Sequence, residues 1–215
     1  MKIAISQRLV ENQTYPEIRD ALDVQWGRWF AEMGWLPLPL ATGFQPVSAL
    51  LNGLAPDAVL LTGGNDLAQF NQDPLSAHRD AFESDVLNWA LTHGVPVVGV
   101  CRGAQLLAQR FGAALDRIRG HVAKNHACFV VHDHPLAPCL AEVNEVNSYH
   151  QIGIIAADAP LLPLALAGDG SWEAFTHAKE ALLGIMWHPE REMPFLAHDK
   201  ALIQTFLAKS VNPAK

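Results

Sequence analysis

Val97-Val98-Gly99-Val100-Cys101-Arg102-Gly103-Ala104-Gln105-Leu106-Leu107 decides the fold. A short, wholly apolar segment of strand length runs into Gly-x-Cys-x-Gly and then into a helix-forming stretch. Such a segment suits a strand buried on both faces of a parallel sheet. A tight strand-to-helix turn of this kind presents its central residue above the sheet, and glycines two positions before and after avoid collision with the turn. Placing Cys101 just ahead of a helix puts free N–H groups and the positive end of the helix dipole beside its sulfur, which favours the thiolate. Gly-x-Cys-x-Gly alone also fits an inert buried cysteine. The strand before, the helix after and Gln105 one turn along favour a nucleophile. Cys128 and Cys139 have no such setting and read as packing residues.

Outward from this turn, short apolar runs alternate with stretches of helical spacing. Ile3–Ser6 reads as a strand, Ile18–Met33 as an amphipathic helix, and Leu36–Leu40, interrupted by Pro37 and Pro39, as a strand near a sheet edge. Ala58–Thr62 is a further strand, ending in Gly63-Gly64-Asn65-Asp66. Asp80–His93 is a helix stopped by Gly94 and Pro96. This βαβ order predicts an α/β fold with a mostly parallel central sheet and helices on both faces. The second half is choppier. Strands are expected at 129–132, 145–147, 152–156, 172–176 and 183–187, forming a small additional β element, with a last helix over His198–Lys209. No repeat or linker interrupts the chain, so residues 1–215 are expected to form one domain.

The 215 residues are 50% hydrophobic and 17% charged, an ordinary globular composition, with a net charge of −7 and no basic run. That balance argues against nucleic acid or an anionic membrane as partner. The apolar run at the start is too short for a secretory signal, and three cysteines without a C-x-x-C pair suit no disulfide framework, so a cytoplasmic location is expected.

A thiol nucleophile needs a proton acceptor that can later protonate the leaving amine. Of ten histidines, His188 follows the apolar run Leu183-Gly184-Ile185-Met186-Trp187 and precedes Pro189-Glu190. Proline ends the strand, and Glu190 can hold the imidazole tautomer. His121, His126, His132 and His134 crowd one segment, but their spacing puts no pair on one face of a regular helix and no acidic or cysteine ligand is obviously placed. No metal or other cofactor is therefore expected.

Gly99-Val100-Cys101-Arg102-Gly103-Ala104-Gln105 resembles the nucleophile motif of class I glutamine amidotransferases. The form with Arg102 is similar to the γ-glutamyl-γ-aminobutyrate hydrolase-like branch, peptidase C26. The resemblance implies a flavodoxin-like fold and a cysteine that forms a γ-glutamyl thioester, with Cys101, His188 and Glu190 as the triad. It implies backbone N–H groups of Gly64 and Arg102 as the oxyanion hole. It also implies glutamyl contacts from Gln105 and from Asn147, Ser148, Tyr149, His150 and Gln151. The N-terminal run Ile3-Ala4-Ile5-Ser6-Gln7-Arg8, with Tyr15, Arg19 and Gln25-Trp26-Gly27, is similar to a narrower group, the γ-glutamyl-CDP-amidate hydrolases that serve phosphoramidate decoration of bacterial capsules. In that case the partner is a small nucleotide-linked γ-glutamyl amide, and Arg8 is a reasonable phosphate contact. A γ-glutamyl-aminobutyrate hydrolase and the glutaminase subunit of a separate synthetase are the alternatives. A non-catalytic protein on the same scaffold is disfavoured by the intact Cys101, His188 and Glu190 set.

Overall fold

The computed structural model describes residues 1–211. Five parallel strands form its centre: β1 (Lys2–Ile5), β4 (Leu36–Pro39), β5 (Ala58–Leu61), β6 (Val97–Val100) and β13 (Leu182–Ile185). Their order across the sheet is β4-β1-β5-β6-β13, and antiparallel β12 (Trp172–His177), β11 (Leu161–Ala167), β8 (Val122–Val130) and β9 (Glu145–Tyr149) extend it beyond β13. Two further strands, β7 (Ala114–Arg117) and β10 (Ile152–Ala156), pair with each other, and β10 joins β12. The proline-bearing β4 lies at the sheet edge, where its missing N–H groups cost no ladder bonds.

Strand alternation divides the core in two. Ile3, Ile5, Ala58, Leu60, Val98 and Val100 face one layer with helices α1 (Val24–Met33) and α5 (Ala197–Val211), built on Trp26, Trp29, Phe30, Leu202 and Phe206. Ala4, Val59, Leu61 and Val97 face the other layer with α2 (Val47–Leu54), α3 (Pro74–His93) and α4 (Arg102–Arg110). The expected α/β architecture with helices on both faces is therefore what the chain adopts.

Several boundaries differ from expectation for identifiable reasons. The helix expected over Ile18–Met33 begins only at Val24. Asp23 caps it, its side chain accepting the Gln25 N–H at 2.9 Å. The preceding Ile18–Ala21 is instead strand β3, paired antiparallel with β2 (Arg8–Glu11) in a separate two-stranded ribbon. Helix α3 starts six residues before the expected Asp80, with Asp73 as cap and Pro74 in the first turn. The strand expected at 129–132 is the tail of β8, whose first five residues are mostly exposed. Helix α2 and strands β7 and β11 were not anticipated. Among the described residues no helix is long and apolar enough to cross a membrane.

Candidate active site

Sheet and helix meet at Cys101 with a backbone that few residues tolerate: φ is +52° and ψ −107°. The flanking glycines allow this. A β-carbon on Gly103 would lie 2.1 Å from the Leu61 carbonyl oxygen, and one on Gly99 would lie 2.6 Å from the Gly103 carbonyl carbon. The turn is thus packed backbone against backbone. Cys101 is nearly buried, and α4 starts at the next residue, so the Arg102 N–H is among the first-turn donors without an intrahelical acceptor.

His188 leaves the C-terminal side of β13, the neighbour of β6, and so arrives beside Cys101. Its Nδ1 lies 2.6 Å from Glu190 Oε1, and both side chains are buried. Glu190 accepts only, so Nδ1 carries the proton and Nε2 is left to face the sulfur. Burial opposes the charged imidazole, but the charge and hydrogen bond of Cys101, joined by Glu190, outweigh it and raise the His188 pKa to about 9. Asn147 fixes the ring's backbone from both sides. Its Oδ1 accepts the His188 N–H at 2.8 Å, and its Nδ2 donates to the His188 carbonyl at 2.9 Å.

The Thr62–Asn65 loop is held from beneath by the buried Arg79 guanidinium. Arg79 Nη1 donates to the carbonyls of Gly63 and Gly64, and Nη2 donates to the Thr62 carbonyl at 2.8 Å. Because C=O and N–H point opposite ways across a trans peptide, holding the Gly63 carbonyl turns the Gly64 N–H away from Arg79. Arg79 in turn pairs with Glu83 at 2.9 Å, and Glu83 also pairs with Arg102, which reaches Asp80. Desolvation of this cluster lowers the Arg79 pKa to about 10. One connected network therefore ties the glycine loop to the residue that follows Cys101.

Above the turn lies a cleft with two lobes sharing Gly64, His188 and Arg191. One is lined by Cys101, Arg102, Gln105, Tyr149, His150 and Gln151. The other is lined by Arg8, Asp23, Trp26, Thr62, Gly63 and Glu190. Gln105 is anchored by donating to the Ile152 carbonyl at 2.9 Å. Arg8 opens the β2–β3 ribbon and packs on Gly64, where a β-carbon would approach its Cδ to 2.9 Å.

Most of the residues singled out in the sequence converge on this cleft. Asn147 and Ser148 do not line either lobe. They are buried behind it, Asn147 on the His188 backbone and Ser148 donating to the His121 carbonyl at 2.6 Å. His150 lines the first lobe, yet its Nε2 points to buried Glu173, 3.6 Å away. Arg79, Glu83 and Arg191 were missed. The first two sit four apart on α3, a spacing that normally marks an exposed ion pair. Arg191 had no signal beyond following Glu190; its guanidinium lies 4.3 Å from the Tyr149 ring centroid.

The model of the Peptidase C26 family matches residues 4–190. The chain belongs to the peptidase C26 family. It is 36% identical over 197 residues to the γ-glutamyl-CDP-amidate hydrolase of Campylobacter jejuni, covering 89% of this chain and 91% of that one. In fold it is similar to a GMP synthase component of Thermoplasma acidophilum. The TM-score there is 0.71 at 18% identity, over 99% of this chain and 95% of that chain. It is also similar to a glutamine amidotransferase of Thermotoga maritima, with a TM-score of 0.66 at 14% identity over 98% and 97% of the two chains. This C26 member is a glutamine amidotransferase-like hydrolase with the class I glutamine amidotransferase fold.

Proposed function

We propose that the protein hydrolyses a γ-glutamyl amide through a γ-glutamyl thioester on Cys101, and that its substrate is γ-glutamyl-CDP-amidate. The observation that carries this reading is the placement of Cys101, at positive φ, beside a His188 whose other nitrogen is fixed by Glu190.

Cys101 gives its proton to His188 Nε2, and the thiolate attacks the γ-carbonyl carbon, forming a C–S bond while the carbonyl electrons move to oxygen. The N–H groups of Gly64 and Arg102 stabilise that oxyanion. As the tetrahedral species collapses, the C–N bond breaks and the His188 imidazolium gives its proton to the departing nitrogen. Water then attacks the thioester, losing its proton to His188; the C–S bond breaks, glutamate leaves, and His188 returns the proton to the Cys101 sulfur. Glu190 keeps the ring in one tautomer through both halves.

The two lobes suggest how substrate is divided. The lobe of Gln105, Tyr149 and Gln151 suits the glutamyl part, whose α-amino and α-carboxylate groups need polar partners. The lobe of Arg8 and Arg191 suits an anionic leaving group, since guanidinium forks match phosphate oxygens. Identity with the Campylobacter enzyme across nearly both chains supports a CDP-linked nitrogen. Products are then glutamate and cytidine diphosphoramidate, the latter for surface-polysaccharide modification.

Glutamate release from glutamine, γ-glutamyl-aminobutyrate and γ-glutamyl-CDP-amidate tests the assignment. The CDP conjugate is expected to give the highest kcat/KM, and Arg8→Ala to lower that value alone by about tenfold or more. Equal use of γ-glutamyl-aminobutyrate refutes the substrate, and hydrolysis of glutamine that only a partner protein stimulates moves the chain to the glutaminase subunits.

A further inference from the structure

Behind the cleft wall lies a second cluster of ionisable side chains that the hydrolysis does not use. His121 precedes β8, His126 lies within it, His150 occupies the β9–β10 turn and Glu173 is on β12. Glu173 is fully buried, and His121 and His150 are nearly so. One donor atom from each lies within 4.8 Å of all the others.

Protonation and distance decide what this cluster is for. His121 Nε2 faces Asp169 Oδ2 at 3.0 Å, His126 Nδ1 faces the Ala127 carbonyl at 3.0 Å, and His150 Nδ1 faces the Ile152 carbonyl at 3.1 Å. Those three partners accept only, so each outer nitrogen carries an N–H, and the inward nitrogen is the one free to offer a lone pair to a metal. Three ring nitrogens therefore converge on a carboxylate. Among the described residues His121 Nδ1, His126 Nε2, His150 Nε2 and both Glu173 oxygens have no hydrogen-bond partner. Such a set of buried acceptors is costly without a cation at its centre.

Glu173 Oε1 lies 3.5, 3.4 and 3.6 Å from the inward nitrogens of His121, His126 and His150. These separations exceed the usual ~2.7–3.2 Å of an N–H···O bond. They fit the edges of a tetrahedron whose centre-to-ligand bonds are about 2.0–2.2 Å, which is roughly 3.3–3.6 Å. A proton on one histidine would satisfy one edge and leave the other two rings facing the carboxylate without a donor.

We propose that His121, His126, His150 and Glu173 form a structural zinc site, closed by four protein ligands and separate from Cys101. Three imidazoles and one carboxylate are borderline donors that suit zinc rather than magnesium or calcium. Asp169 and the two backbone carbonyls are the outer partners that fix the tautomer of metal-bound histidines. The metal pins the start of β8 and the β9–β10 turn to β12. It thereby sets the Tyr149–Gln151 wall of the cleft. Chemistry on Cys101 does not pass through it.

The test is metal analysis of tag-free protein, with Cys101→Ala run alongside so that the thiolate cannot host the ion. About one zinc per chain is expected in wild type and in Cys101→Ala, falling below roughly a tenth in Glu173→Gln and in His126→Ala. Wild-type protein stripped by chelator and loaded with cobalt(II) is expected to show the intense visible bands of a tetrahedral site. This reading holds even where a variant fails to fold. Wild type that holds no zinc after zinc dialysis and gives no cobalt bands overturns the proposal. Loss of the metal in Cys101→Ala overturns it as well, by placing the ion at the thiol.

Discussion

Glu190→Gln removes one charge from the site and leaves its shape almost unchanged. In the native protein Glu190 Oε1 accepts from His188 Nδ1 at 2.6 Å, inside a pocket that buries both side chains. The His188 pKa stands at about 9 against an ordinary 6.5, despite burial that works the other way. That rise corresponds to about 3 kcal/mol in favour of the charged ring. Cys101 supplies the larger opposing share and Glu190 the smaller. A buried hydrogen bond to a charged group contributes about 1.5–3 kcal/mol, which sets the loss in rate at roughly 10–150-fold. Glutamine can also turn its NH2 towards the ring and select the wrong tautomer, which adds to the loss. The expected result is a fall in kcat of about 10²–10³-fold, with KM changed less than about threefold. The pH profile gives a second reading. A histidine whose folded pKa is raised keeps its charge, and the stability that charge contributes, fully below about 6.5, and loses both as pH climbs through about 9. Turnover by wild type should therefore decline on the alkaline side near pH 9, and in Glu190→Gln that decline should move down by about one pH unit. A variant with kcat within twofold of wild type and an unmoved alkaline limb would refute the role given to Glu190.

Three further outcomes follow from the geometry. Gly103→Ala drives a β-carbon to 2.1 Å from the Leu61 carbonyl oxygen and should cost upwards of about 3 kcal/mol in urea unfolding; a smaller loss would mean that the turn can relax. Arg79→Met leaves Glu83 short of one partner and frees the Gly63 and Gly64 carbonyls, so a loss of about 3–5 kcal/mol is expected in the same assay, together with reduced turnover in whatever fraction folds. Burial, aided by Glu173 and Asp199, pushes the Cys128 thiol up to about 12, so iodoacetamide near neutral pH should label Cys101 in preference to Cys128, and Cys128→Ala should leave turnover intact.

The parallel centre of the sheet was legible because its strands are short, apolar and punctuated by glycine. Val97–Val100, Ala58–Leu61 and Leu182–Ile185 are wholly buried, and each leads within three residues to Cys101, Gly64 or His188. The strand-to-helix turn at Cys101 was legible for a related reason, since backbone contacts as close as those at Gly99 and Gly103 admit only glycine. The helix expected from Ile18 onwards failed because Ile18–Ala21 pairs with β2 in a local hairpin and is largely exposed there, so the three- and four-residue spacing that begins at Ile18 did not mark a buried helix face. Strand β8 hid behind polar residues: Lys124, Asn125 and His126 offer no apolar run, yet they pair with β9. The same pairing joins His126 and His121 to His150, and β12 adds Glu173. Spacing along the chain put His121 and His126 beside His132 and His134, whereas the fold sets them beside His150, and His134 instead bonds Thr176 at 2.7 Å. Arg79 and Glu83 were hidden because a helical ion pair carries no mark of burial.

The central claim is that Cys101 carries a γ-glutamyl group during turnover, and intact-protein mass spectrometry of acid-quenched reactions reads this directly. Wild type mixed with γ-glutamyl-CDP-amidate should show a transient adduct with the mass of a glutamyl residue, mapped by digestion to the peptide holding Cys101. Cys101→Ala should show no adduct and release no glutamate. Glutamate released by Cys101→Ala at a rate near that of wild type would contradict the account.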